Sequence, residues 1–241
     1  LIAQHPLPAR DRSRLMLLRR GADVIAHHGF SKLPALLPPG ALLVLNNTRV
    51  PPRRLTARLA SGVTVEALLV AEEQPGLWRA LVKKARRVKV GMTVPFAQGH
   101  LPARALERSQ DGGWRLRFEE PQTVAARLEA HGLAPLPPYI RRDVHVAYDP
   151  RADRAAYQTC YASVDGAIAA PTAGFHFTPA VLAALRERGI ETAELTLHVG
   201  VGTFAKVKVA DADQHRMQAE WYALSPATAG RIVQAKAQGR P

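Results

Sequence analysis

Apolar positions along this chain fall in short runs broken by Pro and Gly, not in long helical stripes. "RLMLL" (14–18) and "ALLVL" (41–45) are continuous apolar runs bounded by turn formers, a pattern that predicts buried strands. From about residue 55 to 119 the runs become "RLTARLA", "TVEALLVA", "LWRALVKK", "MTVPF", "LPARALE" and "GWRLRFE". Several alternate, as Val63, Val65, Ala67 and Leu69 do, and Trp78, Ala80 and Val82 after them. Turn signals separate them at Ser61-Gly62, Gln74-Pro75-Gly76, Gln98-Gly99 and Asp111-Gly112-Gly113. Six short strands at this spacing predict a small antiparallel barrel or sandwich.

The period then changes. "TVAARLEAHG" (123–132) has helical spacing, and Gly132 suits a C′ position. "DRAAYQTCYA" (153–162) is a second helix candidate with Asp153 as N-cap. "GAIAA" (166–170) reads as a buried strand and "ETAELTLHV" (191–199) as another. Between them "TPAVLAALRERG" (178–189) is the clearest helix, with Thr178 as N-cap, Pro179 at N1 and Gly189 at C′. "SPATAGRIVQAKAQG" (225–239) repeats the Ser-Pro opening. The β-α-β succession from 166 to 199 predicts a mixed α/β region with a right-handed crossover. The expected architecture is a discontinuous α/β domain, residues 1–54 with 134–241, interrupted by an inserted antiparallel β-barrel over 55–133.

Composition narrows the class. With 241 residues, 47% of them hydrophobic, the chain can bury the core of one or two domains. No apolar run approaches the roughly 20 residues that span a bilayer, and no secretory pattern opens the chain, so a cytoplasmic protein is expected. Cys160 is the sole cysteine, which excludes a disulfide framework and fits a reducing compartment. Lys and Arg number 33 against 20 Asp and Glu, a net charge of +13. The cations cluster in Arg10–Arg20, in Arg49, Arg53, Arg54 and Arg58, and in "RALVKKARRVKV" (79–90). Such clustering points to a polyanionic partner, most often a nucleic acid.

Several stretches carry chemistry. "NNTRV" (46–50) ends an apolar strand with Asn46, Asn47, Thr48 and Arg49, whose fork suits carboxylate or phosphate; an Asx turn with solvated Arg49 fits equally. "LPPYIRR" (136–142) presents Tyr139 beside Arg141, as a stacking aromatic next to a cation or as a stiff linker. In "YQTCYA", Tyr157 and Tyr161 share a helix face, while Gln158 and Thr159 lie off it. "PTAGFHF" places Pro171, Thr172, Ala173, Gly174, Phe175, His176 and Phe177 in a strand-to-helix turn. Such a turn can seat an anion or polar ligand, or hold a structural His. "LTLHVGVGTF" (195–204) repeats that design with His198, Gly200, Gly202, Thr203 and Phe204. Strand ends of this kind line the ligand crevice of open α/β sheets. "HRMQAEWY" adds His215 and Glu220 near a third strand. No His pair has metal-site spacing, so no metal is expected.

Taken in order, "LNNTRV", "LPPYI", "YQT-x-YA", "PTAG-x-HFT", "LTLHVG-x-GTF" and "H-x-M-x-x-E" resemble the S-adenosylmethionine:tRNA ribosyltransferase-isomerases of queuosine biosynthesis, across nearly the whole chain. The resemblance implies a mixed α/β fold interrupted by a β-barrel. It implies transfer and rearrangement of the ribosyl part of S-adenosylmethionine onto 7-aminomethyl-7-deazaguanine at the tRNA wobble position. Epoxyqueuosine forms and adenine and methionine leave; S-adenosylmethionine is consumed as substrate, with no metal or organic cofactor. On this reading His176 and His198 are the acid–base candidates. Asn47 and Arg49 hold a carboxylate or phosphate, Tyr139, Phe175 and Phe177 supply aromatic faces, and the basic β-module with the Arg-rich start grips tRNA. "RVPPRRL" (49–55) and Gln218 depart from the family pattern. The chain also lacks the family's first residues and its C-terminal segment, so a partial or truncated form is expected. Two other readings stay open: a non-catalytic tRNA-binding protein, or a tRNA methyltransferase, which lacks its glycine-rich loop here.

Overall fold

The computed structural model describes residues 2–21, 24–109, 112–142, 149–204, 209–215 and 217–241. Its largest unit is the sheet read from the six alternating runs. Strands β5 (Arg54–Arg58), β6 (Thr64–Gln74), β7 (Leu77–Lys83), β8 (Thr93–Phe96), β9 (Leu101–Arg108) and β10 (Trp114–Phe118) pair antiparallel in the order β5-β6-β7-β10-β9-β8. The two end strands, β5 and β8, lie against each other, so the sheet is nearly closed. Alternation decides which side faces in: Val65, Ala67 and Leu69 of β6 are fully buried, and so are Ala103 and Ala105 of β9. Phe96, Leu116 and Phe118 fill the centre. Helix α2 (Pro121–His131) closes one side with Val124 and Leu128.

Gly132 ends α2, but not in the left-handed C′ conformation expected from the sequence. Its backbone is extended (φ −73°, ψ 156°). The residue is glycine because a Cβ there would lie 2.0 Å from the Pro52 carbonyl oxygen and 2.5 Å from that of Leu128. The backbone beside it pairs with the start of the barrel, where Leu133 N–H donates to Arg54 O at 2.8 Å and Arg54 N–H to Leu133 O at 3.1 Å.

Around the barrel, residues from before and after it in the chain pair with one another. β3 (Leu42–Asn46) runs parallel to β12 (Glu191–Leu197), and β4 (Thr48–Arg49) runs parallel to β11 (Val164–Asp165). Two-residue β13 (Tyr222–Ala223) adds antiparallel to β12. α1 (Leu33–Leu36) and α4 (Pro179–Glu187) share a core of Phe30, Leu45, Phe177, Val181, Leu185 and Ile190. α4 begins as its sequence predicts, with Thr178 Oγ1 accepting from Val181 N–H at 3.2 Å and Pro179 in the first turn. It stops at Gly189 (φ +69°), where Ile190 N–H reaches back to Leu185 O at 3.0 Å. α5 (Pro226–Ala237) is capped by Ser225, and Thr228 ties it to the Glu194 carbonyl at 2.9 Å.

Three expectations change. "RLMLL" does form a strand, β1 (Arg14–Leu18), but in a two-stranded hairpin with β2 (Ile25–Gly29) whose outer side chains, Met16 and Leu18, are exposed. A hairpin without a second layer buries only one face. "GAIAA" is buried, yet only Val164 and Asp165 before it form a strand; Ile168 and Ala169 instead donate to the single carbonyl of Val199. The crossover expected over 166–199 therefore does not join two strands of one sheet. The helix expected over 153–162 is α3 (Pro150–Ala156), capped by Asp149. Asp153 is not its cap, because its carboxylate is engaged by Arg142 inside the molecule.

Candidate active site

A pocket of about 310 Å³ opens where the N-terminal segment, the Pro137–Arg142 segment, α3 and the "PTAGFHF" turn meet. Tyr139, Tyr157, Phe175, His176, Arg10 and Arg142 are among its lining residues. Gln4 stitches two of these segments: its amide donates to Tyr139 O at 3.1 Å and accepts from Arg141 N–H at 2.6 Å. Arg142 places both arms of its fork on Asp153, at 2.7 Å each, and a third donor on Gln4 O at 2.8 Å. Arg10 donates to the carbonyls of Ala155, Ala156 and Gln158 at the C-terminus of α3, where unpaired acceptors and the helix dipole favour a cation. Its guanidinium also lies 5.8 Å from the Phe175 ring centre.

The "PTAGFHF" turn sorts its aromatics by side. Thr172–His176 is a tight 3-10 turn. Gly174 at its centre is buried against Tyr161 and Thr159; a Cβ would fall 2.3 Å from Tyr161 Oη. Phe175 meets Tyr157 edge-on at 5.6 Å, and His176 sits 5.2 Å from Phe30. Phe177 corrects the expectation of an aromatic wall for a ligand. It is buried, edge-on to Phe30 at 5.1 Å and to Tyr161 at 6.0 Å, because the residue before a helix cap turns into the core. Burial pushes the Tyr157 and Tyr161 hydroxyls up to about 12, so both stay protonated at neutral pH.

A second cluster forms where β3 and β12 end. Asn46 Oδ1 accepts from Thr48 N–H at 3.1 Å and Leu197 N–H at 3.0 Å, and its amide donates to Leu197 O at 2.9 Å. Asn47 donates to Glu194 at 3.0 Å and accepts from Thr196 at 2.7 Å. These bonds lock the strand end and bring Thr48 Oγ1 to 2.7 Å from His198 Nδ1. The His198 ring stacks on Trp221 at 4.8 Å. Its far side faces Gly166, where a Cβ would lie 2.3 Å from Nε2. Burial, with Arg53 nearby, holds the His198 imidazole below its usual range, against a smaller opposing pull from Asp165. His198 is therefore neutral at pH 7. Arg49 does not offer a free fork: it spends one nitrogen on both Asp165 oxygens, at 3.0 and 3.3 Å, and another lies 3.6 Å from Glu129.

The remaining predicted residues divide by position. Gln158 clamps the Val50 backbone, donating at 2.5 Å and accepting at 3.1 Å. Thr159 is buried, and its hydroxyl has no partner among the described residues. Pro171 is half-buried, whereas Thr172 and Ala173 are exposed at the rim of the turn. Arg141 is exposed, with its side chain outward and its N–H tied to Gln4. Gly200 N–H donates to Glu220 at 2.8 Å, and Gly202 packs near Gln218, so this loop and "HRMQAEWY" do meet. Thr203 is exposed, and Phe204 and His215 are half-buried. His176 lines the pocket and His198 does not; the segment 166–176 runs from one to the other. Sequence reasoning missed Gln4, Asp165, Trp221 and the Arg142–Asp153 pair. Their partners lie far along the chain, and no local motif announces them.

Among the described residues no group of three or more His, Cys, Asp or Glu side chains is placed to hold a metal ion. Among the described residues no helix is long and apolar enough to cross a membrane.

Residues 1–241 match the family described as "Queuosine biosynthesis protein", and the chain belongs to that family. It is 43% identical over 240 residues to the S-adenosylmethionine:tRNA ribosyltransferase-isomerase of Desulfitobacterium hafniense, covering 99% of this chain and 68% of that one. To the protein of the same name from Rhodospirillum rubrum it is 47% identical over 240 residues, covering 99% and 67%. A crystal structure of S-adenosylmethionine tRNA ribosyltransferase from Thermotoga maritima aligns at 28% identity and a TM-score of 0.39, covering all of this chain and 64% of that one. The chain thus spans about two thirds of the length of these relatives.

Proposed function

We propose that this chain carries the activity for which its relatives are named, transfer and isomerisation of the ribosyl group of S-adenosylmethionine onto a base in tRNA. The observation that carries the reading is the pocket, which sets Tyr139, Tyr157 and Phe175 beside His176 in a chain matched end to end by that family. Aromatic faces suit a sulfonium cation and a purine. His176 stands at their edge as a proton-transfer group. His198, neutral at pH 7 and held by Thr48 and Trp221, is the second such group, suited to take up a proton. Arg49 remains the candidate for an anionic group, exchanging its contact with Asp165 for a carboxylate or phosphate.

S-adenosylmethionine is a consumed substrate on this reading, and no metal or organic cofactor takes part. tRNA is the partner and the cytoplasm the compartment. The barrel, residues 55–133, is a module inserted into a discontinuous domain made of 1–54 and 134–241. Incubation with S-adenosylmethionine and precursor-bearing tRNA should release adenine. Methylated RNA with S-adenosylhomocysteine, or binding without products, would overturn the assignment. Substituting His176→Ala should lower adenine release by about 10²-fold or more; near-normal turnover in a folded variant would remove it from the chemistry.

A further inference from the structure

The barrel is polarised along its axis. The turns after β5, β7 and β9 share one end, and there Val63, Lys84, Ala85, Arg86, Arg87 and Arg108 line a single open groove. Arg58 ends β5 at the same end. At the opposite end β6 finishes with Glu72, Glu73 and Gln74, which form another groove with Pro75, Pro121 and Gln122. Glu119 and Glu120 follow β10 there. That acidic end joins the rest of the molecule: Arg53 donates to Gly166 O at 3.4 Å, next to His198, and lies 5.3 Å from the Trp78 ring. At about 3.3 Å per residue, the five residues of β5 carry the chain about 15 Å from that junction to the basic end.

The cations of the far end are held on a braced loop. Lys84 adopts a left-handed conformation (φ 56°) that starts a tight turn, Ala85–Arg87. Val88 is buried in the barrel core and Ala85 packs against it, so Lys84, Arg86, Arg87 and Lys89 face solvent. Gly91 N–H donates to Ala105 O at 2.7 Å, and Ala105 N–H to Met92 O at 2.8 Å, pinning the loop to β9. Among the described residues no carboxylate pairs with Lys84, Arg86, Arg87 or Arg108. Beside the groove, Lys83 is neutralised by Glu66, and Arg115 by Glu73 and Glu107.

We propose that this distal end of the barrel is a phosphate-backbone binding surface that holds the substrate RNA at a point remote from the pocket. The inference rests on the tRNA reading above and adds where, away from the reacting base, the RNA is gripped. A surface that touches only phosphates positions its partner without reading sequence. Its contribution to affinity must fall with salt as counterions are released.

The test is filter binding of full-length tRNA to this chain across a salt series, for wild type, for Arg86→Ala/Arg87→Ala/Arg108→Ala, and for a control losing equal charge on other faces, Arg186→Ala/Arg188→Ala/Lys236→Ala. The groove variant should bind at least about tenfold more weakly near 0.15 M salt. Its log–log salt slope should be shallower by about 2 to 3, one phosphate contact per residue removed. The control should follow the wild type. Circular dichroism confirms folding of each variant. An unchanged slope in the groove variant, or an equal change in the control, would overturn the proposal. Binding needs neither S-adenosylmethionine nor turnover, so the two readings fail separately. Adenine release with an unchanged groove slope sinks the surface alone. A shallower groove slope without adenine release sinks the activity alone.

Discussion

At the scale of single residues, His198 shows how neighbours set chemistry. Thr48 fixes one ring nitrogen, Trp221 covers one face, and the absence of a Cβ on Gly166 leaves room for the other nitrogen. The depressed imidazole has a defined consequence. The unfolded ring takes up its proton near pH 6.5, while the folded ring resists until lower pH. Folding therefore weakens as pH falls below about 6.5 and gains nothing from this group above it. Replacing Arg53→Ala removes a positive neighbour and should raise the His198 midpoint; Asp165→Asn should lower it further. Both are read by NMR titration of the imidazole, and a midpoint that moves the other way would refute this electrostatic account. The two histidines were legible in the sequence because each sits beside Gly at a strand or turn end. Their separation, one at the pocket and one at the strand ends, was not, because it depends on how segment 166–176 crosses between them.

At the scale of elements, caps and close approaches decide boundaries. Thr178→Ala deletes the hydroxyl that accepts from Val181 N–H. It should cost about 1 kcal/mol, or about 2–4 °C in melting temperature for a chain of this size. Gly132→Ala should cost more, about 1–3 kcal/mol, by driving a methyl group into the Pro52 carbonyl and prising α2 from the start of the barrel. Chemical denaturation measures both, and equal costs would count against the close-packing explanation of Gly132. The six barrel strands, α4 and α5 were all readable, since their alternation and Ser/Thr-Pro openings are local. The misread α3 has a physical cause: the sequence holds two Asp residues at suitable positions. Asp149 wins the cap because Asp153 is drawn into the molecule by Arg142.

At the scale of the whole molecule, the parallel pairs β3–β12 and β4–β11 bring together chain segments separated by the entire barrel. The Arg142–Asp153 pair, with side chains only 15% and 10% exposed, ties the "LPPYIRR" segment to α3 beneath the pocket. Breaking one partner of such a pair leaves a buried charge uncompensated. Asp153→Ala should therefore cost about 3–5 kcal/mol, and Asp153→Ala with Arg142→Met should recover part of it. A double variant no more stable than the single one would show that the pair is not the source of the loss. The charge asymmetry also emerges only at this scale. The cations of "RALVKKARRVKV" are a run in sequence, but Arg58 and Arg108 join that end through the turn geometry of the barrel.

The sequence by itself determined which stretches alternate, which helices begin where, the positive charge, and the motif order that places the chain in its family. These are properties of neighbours along the chain, governed by side-chain period, capping and composition. Only the tertiary structure decided which faces of those elements meet. It turned Phe175 toward the pocket and Phe177 into the core, occupied Arg49 with Asp165, and set His198 between Thr48, Gly166 and Trp221. Those contacts join residues distant in sequence, and their energies depend on burial and charge neighbours that no local pattern carries.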